Sequence, residues 1–134
     1  MDKQKLPIGF YLKKVDNLLT TGIHEIHSEM GLSRTDWQIL NIITDNDGLD
    51  RPAIIGIVSE FANDEAINNT ISGLIKNGLL QEDNSLTLTG KGKDTHLACL
   101  QKQILFRQKS MRNITHQEYL QVIATLDKII TNLK

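Results

Sequence analysis

The chain has little of several things, and each shortage excludes something. It has one cysteine, Cys99. One cysteine cannot build an internal disulfide framework, and it fits a reducing compartment. Aromatic residues make up 4% of the sequence, too few for nucleic-acid binding by base stacking. No run of about 18 apolar residues occurs, so no transmembrane helix and no membrane partner are expected. The opening "MDKQKLPIGF" has neither the apolar core nor the cleavage site of a signal peptide, so a cytoplasmic protein is expected. The net charge of −1 gives no global attraction to nucleic acid. No Ser-His-Asp set, paired-carboxylate motif or dinucleotide fingerprint occurs. The "GKGK" at 90–93 lacks the spacing of a phosphate loop and reads as the entry to a helix. An enzyme is therefore not expected, and no cofactor is implied.

What is present is amphipathic helix. The 134 residues are 40% hydrophobic, which suits one domain with a core. Ile8, Leu12, Val15, Leu19, Ile23, Ile26 and Met30 recur at three- and four-residue steps and predict a first long helix. Pro7 stands at its start and Gly31 at its end. Ser33 or Thr35 can cap a second helix, with Trp37, Leu40, Ile43 and Ile42 facing inward. "DNDGLDRP" is a turn, and "RPAIIGIVSEF" a short third helix. In "EAINNTISGLIKNG" the stripe Ile67, Ile71, Leu74 and Ile75 predicts a fourth, closed by Gly78. Leu79–Glu82 and Leu86–Thr89 read as a hairpin. A fifth helix has Leu97, Leu100, Ile104 and Met111 on one side. Thr115 and Glu118 form a capping box for the last helix, whose stripe is Tyr119, Val122, Ile123, Leu126, Ile129, Ile130 and Leu133.

The expectation is a mainly α chain with one hairpin, a single domain over 1–134. A winged-helix lobe occupies 35–93, flanked by long helices at 8–30 and 94–134. The flanking helices are more apolar than so small a domain can cover, which points to a homodimer.

Helix, turn, helix and hairpin in this order make a winged helix-turn-helix. The stretches "IGFYLKKVDNLL", "GLSRTDWQILNII", "LIKNGLL" with "LTLTGKG", and "ITHQEYLQVIATLDKIITNL" together resemble the MarR family of transcription regulators. The resemblance implies a homodimer on double-stranded DNA at a palindromic operator, acting as a sequence-specific regulator and repressor. It also implies a small-molecule effector bound between the dimer helices and the winged lobe, where Phe10, Tyr11, Trp37 and Leu40 could line the space. Close core packing would explain those four equally well.

"NDEAINNTISGLIKNGLL" at 63–80 falls where the recognition helix belongs. Its exposed face offers Asn68, Asn69, Ser72 and Lys76. Asparagine can read adenine through two hydrogen bonds, and Lys76 or Lys91 can reach phosphate. Against this, Asn69 and Gly73 stand where the family often has Arg or Lys, and the wing "QEDNS" has no arginine. The lobe 35–93 holds four basic and nine acidic residues, a net charge of −5. Nonspecific DNA affinity comes mostly from neutralised phosphates, so the phosphate grip is thin. The alternative reading is a winged-helix module that has lost DNA binding and binds protein.

Two further groups invite chemistry. His24 and His27 are three apart on the first helix, and His96 and Cys99 three apart on the fifth. Some members of the family sense zinc with ligands from these helices, so the four are a candidate zinc set; the plainer reading is a packed helix junction. Cys99 alone suits a redox switch less than a small core position, because the redox cysteine of such relatives lies in the first helix. Lys102, Arg107, Lys109 and Arg112 make a basic stretch that is a solvated helix face, or else a holder of DNA flanks or of a partner's acidic lobe.

Overall fold

The computed structural model describes residues 6–134. Six helices and one hairpin follow in order: α1 (Ile8–Glu29), α2 (Arg34–Asp45), α3 (Arg51–Val58), α4 (Asp64–Lys76), β1 (Leu80–Asp83), β2 (Ser85–Leu88), α5 (Gly90–Ser110) and α6 (His116–Leu133). One compact unit extends to Ile104, and a second comprises Leu105–Lys134.

Local chemistry sets most boundaries. Ser33 caps α2 by accepting from the Asp36 N–H at 3.0 Å, and the Asp36 carboxylate accepts from the Ser33 N–H at 2.8 Å. Thr115 and Glu118 make the same reciprocal pair at the start of α6. Such boxes satisfy amide N–H groups that have no partner inside the helix. Asp50 caps α3 through the Ala53 N–H, and Asn63 caps α4 through the Ala66 N–H. The chain leaves α4 through Gly78 at φ 79°, a left-handed conformation that a Cβ disfavours. Leu79 N–H then returns to Leu74 O at 2.9 Å.

The hairpin is antiparallel, with Leu80 opposite Leu88 and Asp83 opposite Ser85. It turns at Asn84, φ 65°. Leu86 N–H donates to Leu49 O at 2.8 Å, which ties the hairpin to the loop before α3.

In the first unit the core joins α2, α3, α4, the hairpin and α5. Ile39, Leu40, Ile54, Ile67, Ile71, Leu80, Leu86 and Cys99 are fully buried. The α4 stripe at Ile67, Ile71 and Leu74 faces inward as its spacing predicts.

The face of α5 is a correction. Leu97, Ile104 and Met111 do not pack inward; Leu97 is 53% exposed. The buried face carries Gly92, His96, Cys99 and Gln103. Both sets have helical spacing, so periodicity alone cannot tell which stripe meets the core. What selects the polar one is the set of partners waiting on α1 and α2.

Those partners form a polar seam within the first unit. His96 Nε2 donates to Asn41 Oδ1 at 3.1 Å. The Gln103 amide donates to His27 Nε2 at 3.1 Å and to Cys99 Sγ at 3.4 Å. The Trp37 indole lies between the two imidazoles, 4.7 Å from His96 and 5.9 Å from His27, centre to centre. Among the described residues no buried side-chain nitrogen or oxygen lacks a hydrogen-bond partner. No helix among them is long and apolar enough to cross a membrane.

Candidate nucleic-acid interface

Capped by Asn63, α4 presents one face to the core and the other outward. Asn68, Asn69, Ser72 and Lys76 are all exposed, as expected of a reading face. The fold therefore brings these four together. It also gives two of them a partner that the spacing did not suggest.

That partner is Arg51, the first residue of α3 and the one arginine between 35 and 93. Its Nη1 donates to Asn68 Oδ1 at 2.7 Å and to Ser72 Oγ at 3.0 Å. Its Nε donates to Glu82 Oε2 on β1 at 2.9 Å. One guanidinium thus ties α3 to α4 and to the hairpin. Asn68 is thereby held in one orientation with one lone pair of its Oδ1 taken, whereas a bidentate contact to adenine needs a donor and an acceptor both free to turn to the base. The Asn69 side chain makes no hydrogen bond among the described residues and keeps both.

Lys91 is also committed. Its ammonium donates to Asn77 O at 3.1 Å, just after α4. A cation there meets the negative end of the helix dipole. Of the basic side chains expected to reach phosphate, Lys76 alone points outward without a hydrogen-bond partner among the described residues.

The motif "LIKNGLLQEDNSLTLTGKG" has a physical basis at the junction of α4, the hairpin and α5. The Thr89 hydroxyl donates to Gly78 O and accepts from Gly92 N–H. Thr89 N–H donates to Leu79 O at 3.1 Å. Gly92 is buried against the Leu79 carbonyl, and a Cβ there would collide with it. The hairpin is therefore pinned at its base to the end of α4.

A separate cleft of about 370 Å³ opens in the first unit. Leu19, Ile23, His24, His27, Arg34, Trp37, Gln38 and Gln103 line it. Of the four residues expected to line an effector space, Trp37 is at this cleft. Leu40 is not, because it is fully buried in the core. Phe10 and Tyr11 pack edge to face on α1, centroids 5.4 Å apart, and are not among the lining residues. Arg34, Gln38 and Gln103 were not anticipated; their polar heads give no periodic signal.

The histidine and cysteine pairs do not form a ligand set. Trp37 separates His27 from His96, and His27 Nε2 is occupied by Gln103. No group of three or more His, Cys, Asp or Glu able to hold a metal ion occurs among the described residues. Burial lowers the pKa of both imidazoles, with His24 and Arg34 adding to the effect at His27 and Asp45 opposing it at His96. Burial pushes the Cys99 thiol up, so the thiolate a redox switch needs is disfavoured. In the basic stretch, Lys102 pairs with Glu29 at 3.3 Å.

Solved structures match this arrangement over nearly the whole chain. A protein of unknown function from Listeria innocua overlays with a TM-score of 0.76 at 18% identity, covering 95% of this chain and 93% of that one. A MarR family protein from Mycobacterium tuberculosis, solved in complex with DNA, overlays at 0.73 with 18% identity, covering 93% and 98%. A mutant of MepR from S. aureus, bound to an oligodeoxyribonucleotide, overlays at 0.69 with 14% identity, covering 97% and 100%. The fold is that of the MarR family. At these identities the likeness is one of fold. No protein-family model matches the sequence, and no curated protein does.

Within this MarR fold the unusual features have definite places. The wing is the β1–β2 hairpin, turning on Asn84 with Glu82 and Asp83 on β1. The fourth helix of this fold is α4, with Asp64 and Glu65 in its first turn. The acids favour the helix through its dipole, but they also crowd the end that would approach phosphate.

Proposed function

We propose that this chain is a sequence-specific DNA-binding transcriptional regulator that acts as a homodimeric repressor on a palindromic site, with no catalytic step of its own. The single observation that carries the reading is α4, held between α3 and the wing in a MarR fold with Asn68, Asn69, Ser72 and Lys76 outward. Solved neighbours of that fold include complexes with DNA and with an oligodeoxyribonucleotide.

Dimerisation is supported by apolar exposure in both units. Ile8, Leu12 and Val15 on α1 are exposed, as are Leu120, Val122, Ile123 and Ile130 on α6. Singly exposed apolar residues are common, but stripes of them mark partner surfaces. The dimer is built mainly from residues 8–30 and 100–133. Light scattering at micromolar concentration tests this; a monomer would remove the dimer and the palindromic geometry together.

The cleft beside Trp37 supports a small-molecule effector. Its apolar wall and the Arg34 cation suit a small aromatic anion, and the M. tuberculosis MarR family protein has also been solved with salicylic acid. Quenching of the single tryptophan by salicylate, lost in Arg34→Gln, tests the effector reading.

The lobe's charge of −5 favours one other reading, a winged-helix module that binds protein. A screen against randomised duplex DNA at low salt separates the two. Enrichment of a palindrome supports the regulator, and no retained duplex supports the module.

A further inference from the structure

Arg51 sits where α3, α4 and β1 meet, and its contacts are unequal in kind. Three are neutral oxygens on α4, Asn68 Oδ1, Asn68 O and Ser72 Oγ. The fourth is a full carboxylate on the hairpin, Glu82 Oε2. The remaining nitrogen, Nη2, makes no hydrogen bond among the described residues. The Arg51 side chain is 25% exposed and that of Glu82 41%.

Cations are scarce on this face. The lobe has four, one of which, Lys91, is turned onto Asn77 O. Arg51 is the one arginine, already aligned across α4 at Asn68 and Ser72. A guanidinium binds carboxylate and phosphate with the same planar fork. An ion pair this exposed is worth little in itself, so a competing oxyanion can displace it at low cost.

We propose that Glu82 stands in for a DNA phosphate: in the free protein it holds Arg51 over the recognition helix, and on binding DNA the guanidinium exchanges this carboxylate for a backbone phosphate. The inference rests on the DNA-binding reading. It makes Arg51 a phosphate contact and Glu82 an internal competitor that weakens binding to every sequence alike. Nη1 keeps its grip on Asn68 and Ser72 throughout, so the recognition helix stays placed while Nε changes partner.

The test is fluorescence anisotropy with a labelled random duplex across a salt series. Wild type is compared with Glu82→Gln, Arg51→Met, the double variant, and Asp83→Asn as a control for loss of one negative charge on the same strand. Removing Glu82 should tighten binding by roughly five- to tenfold near 0.1 M salt and leave the slope of log affinity against log salt near the wild-type value, because Arg51 neutralises the same phosphate in both. Arg51→Met should weaken binding by a similar factor and flatten the slope by about 0.9, the value for one phosphate. In the Arg51→Met background, Glu82→Gln should do no more than Asp83→Asn does. If it tightens binding as strongly there as in wild type, Glu82 acts by bulk charge and the exchange is overturned. Circular dichroism melting reports whether Arg51→Met is folded; if it is not, Arg51→Lys replaces it, keeping the charge but losing the fork. If wild type and Glu82→Gln bind with equal affinity, or Arg51→Met leaves the slope unchanged, the exchange alone fails. If neither binds any duplex at low salt, the DNA-binding reading fails with it.

Discussion

Gly92 lies against the backbone carbonyl of Leu79 so closely that no other side chain fits there. The contact joins the start of α5 to the segment leaving α4. Its neighbour Thr89 completes the joint through Gly78 O and Gly92 N–H. Gly92→Ala must therefore push backbone against backbone, which no rotamer change relieves. It should destabilise the fold by about 1–3 kcal/mol. Urea denaturation would read this as a lower midpoint; a midpoint equal to wild type would show that the two segments are free to part.

Gly73 is the opposite case. It lies inside α4, and a Cβ there meets nothing within 4 Å. Glycine in a helix interior costs about 0.5–1 kcal/mol relative to alanine, so Gly73→Ala should raise stability by that amount. Gly73→Arg should add a phosphate contact beside Ser72 and tighten binding to all duplexes, random and preferred. Thermal melting checks the first and anisotropy the second. An unchanged melting temperature in Gly73→Ala would count against an open helix face at this position.

The stack of His27, Trp37 and His96 should make stability depend on pH. Burial holds both imidazoles below the usual 6.5. The unfolded chain then binds protons that the folded chain refuses, so stability is complete above pH 6.5 and falls as pH drops below it. Protonated His27 would also turn an N–H toward the Gln103 amide donor, which now points at Nε2. The carboxylate of Glu118, held low by its bond to the Thr115 backbone, adds its own loss only below 4.5. The two windows are separate. Denaturant midpoints from pH 8 to 5 should fall in wild type and fall less in His96→Gln. A pH-independent midpoint over that range would contradict the neutral stack.

Much of this was legible in the sequence. The capping box at Thr115 and the inward stripe at Ile67, Ile71 and Leu74 follow from spacing and side-chain chemistry alone, whereas the cap of α2 was open between Ser33 and Thr35 until the Ser33–Asp36 box decided it. The wing's limits differ by one residue at each strand, since hairpin ends depend on register rather than composition. The inner face of α5 was not legible, because its apolar stripe is genuine but points outward while His96, Cys99 and Gln103 find partners on other helices. Arg51 was not legible either. It lies 17 residues from Asn68 and 31 from Glu82, and no local pattern links positions brought together only by tertiary folding. Its one sequence signal was being the sole arginine of an acidic lobe.

The central claim is that α4 reads DNA in spite of its acids, and Asn69 is the residue best placed to show it. Asn68 is held by Arg51, whereas Asn69 keeps both a donor and an acceptor for adenine. The most direct measurement is the affinity of wild type and Asn69→Ala for the preferred duplex and for random duplex across a salt series. Wild type should show a shallow slope, about −2 to −4 per dimer, because few cations face the phosphates. Asn69→Ala should cost about 1–3 kcal/mol on the preferred duplex and little on random DNA. No duplex bound at low salt, or an equal loss on both, would contradict base reading by this helix.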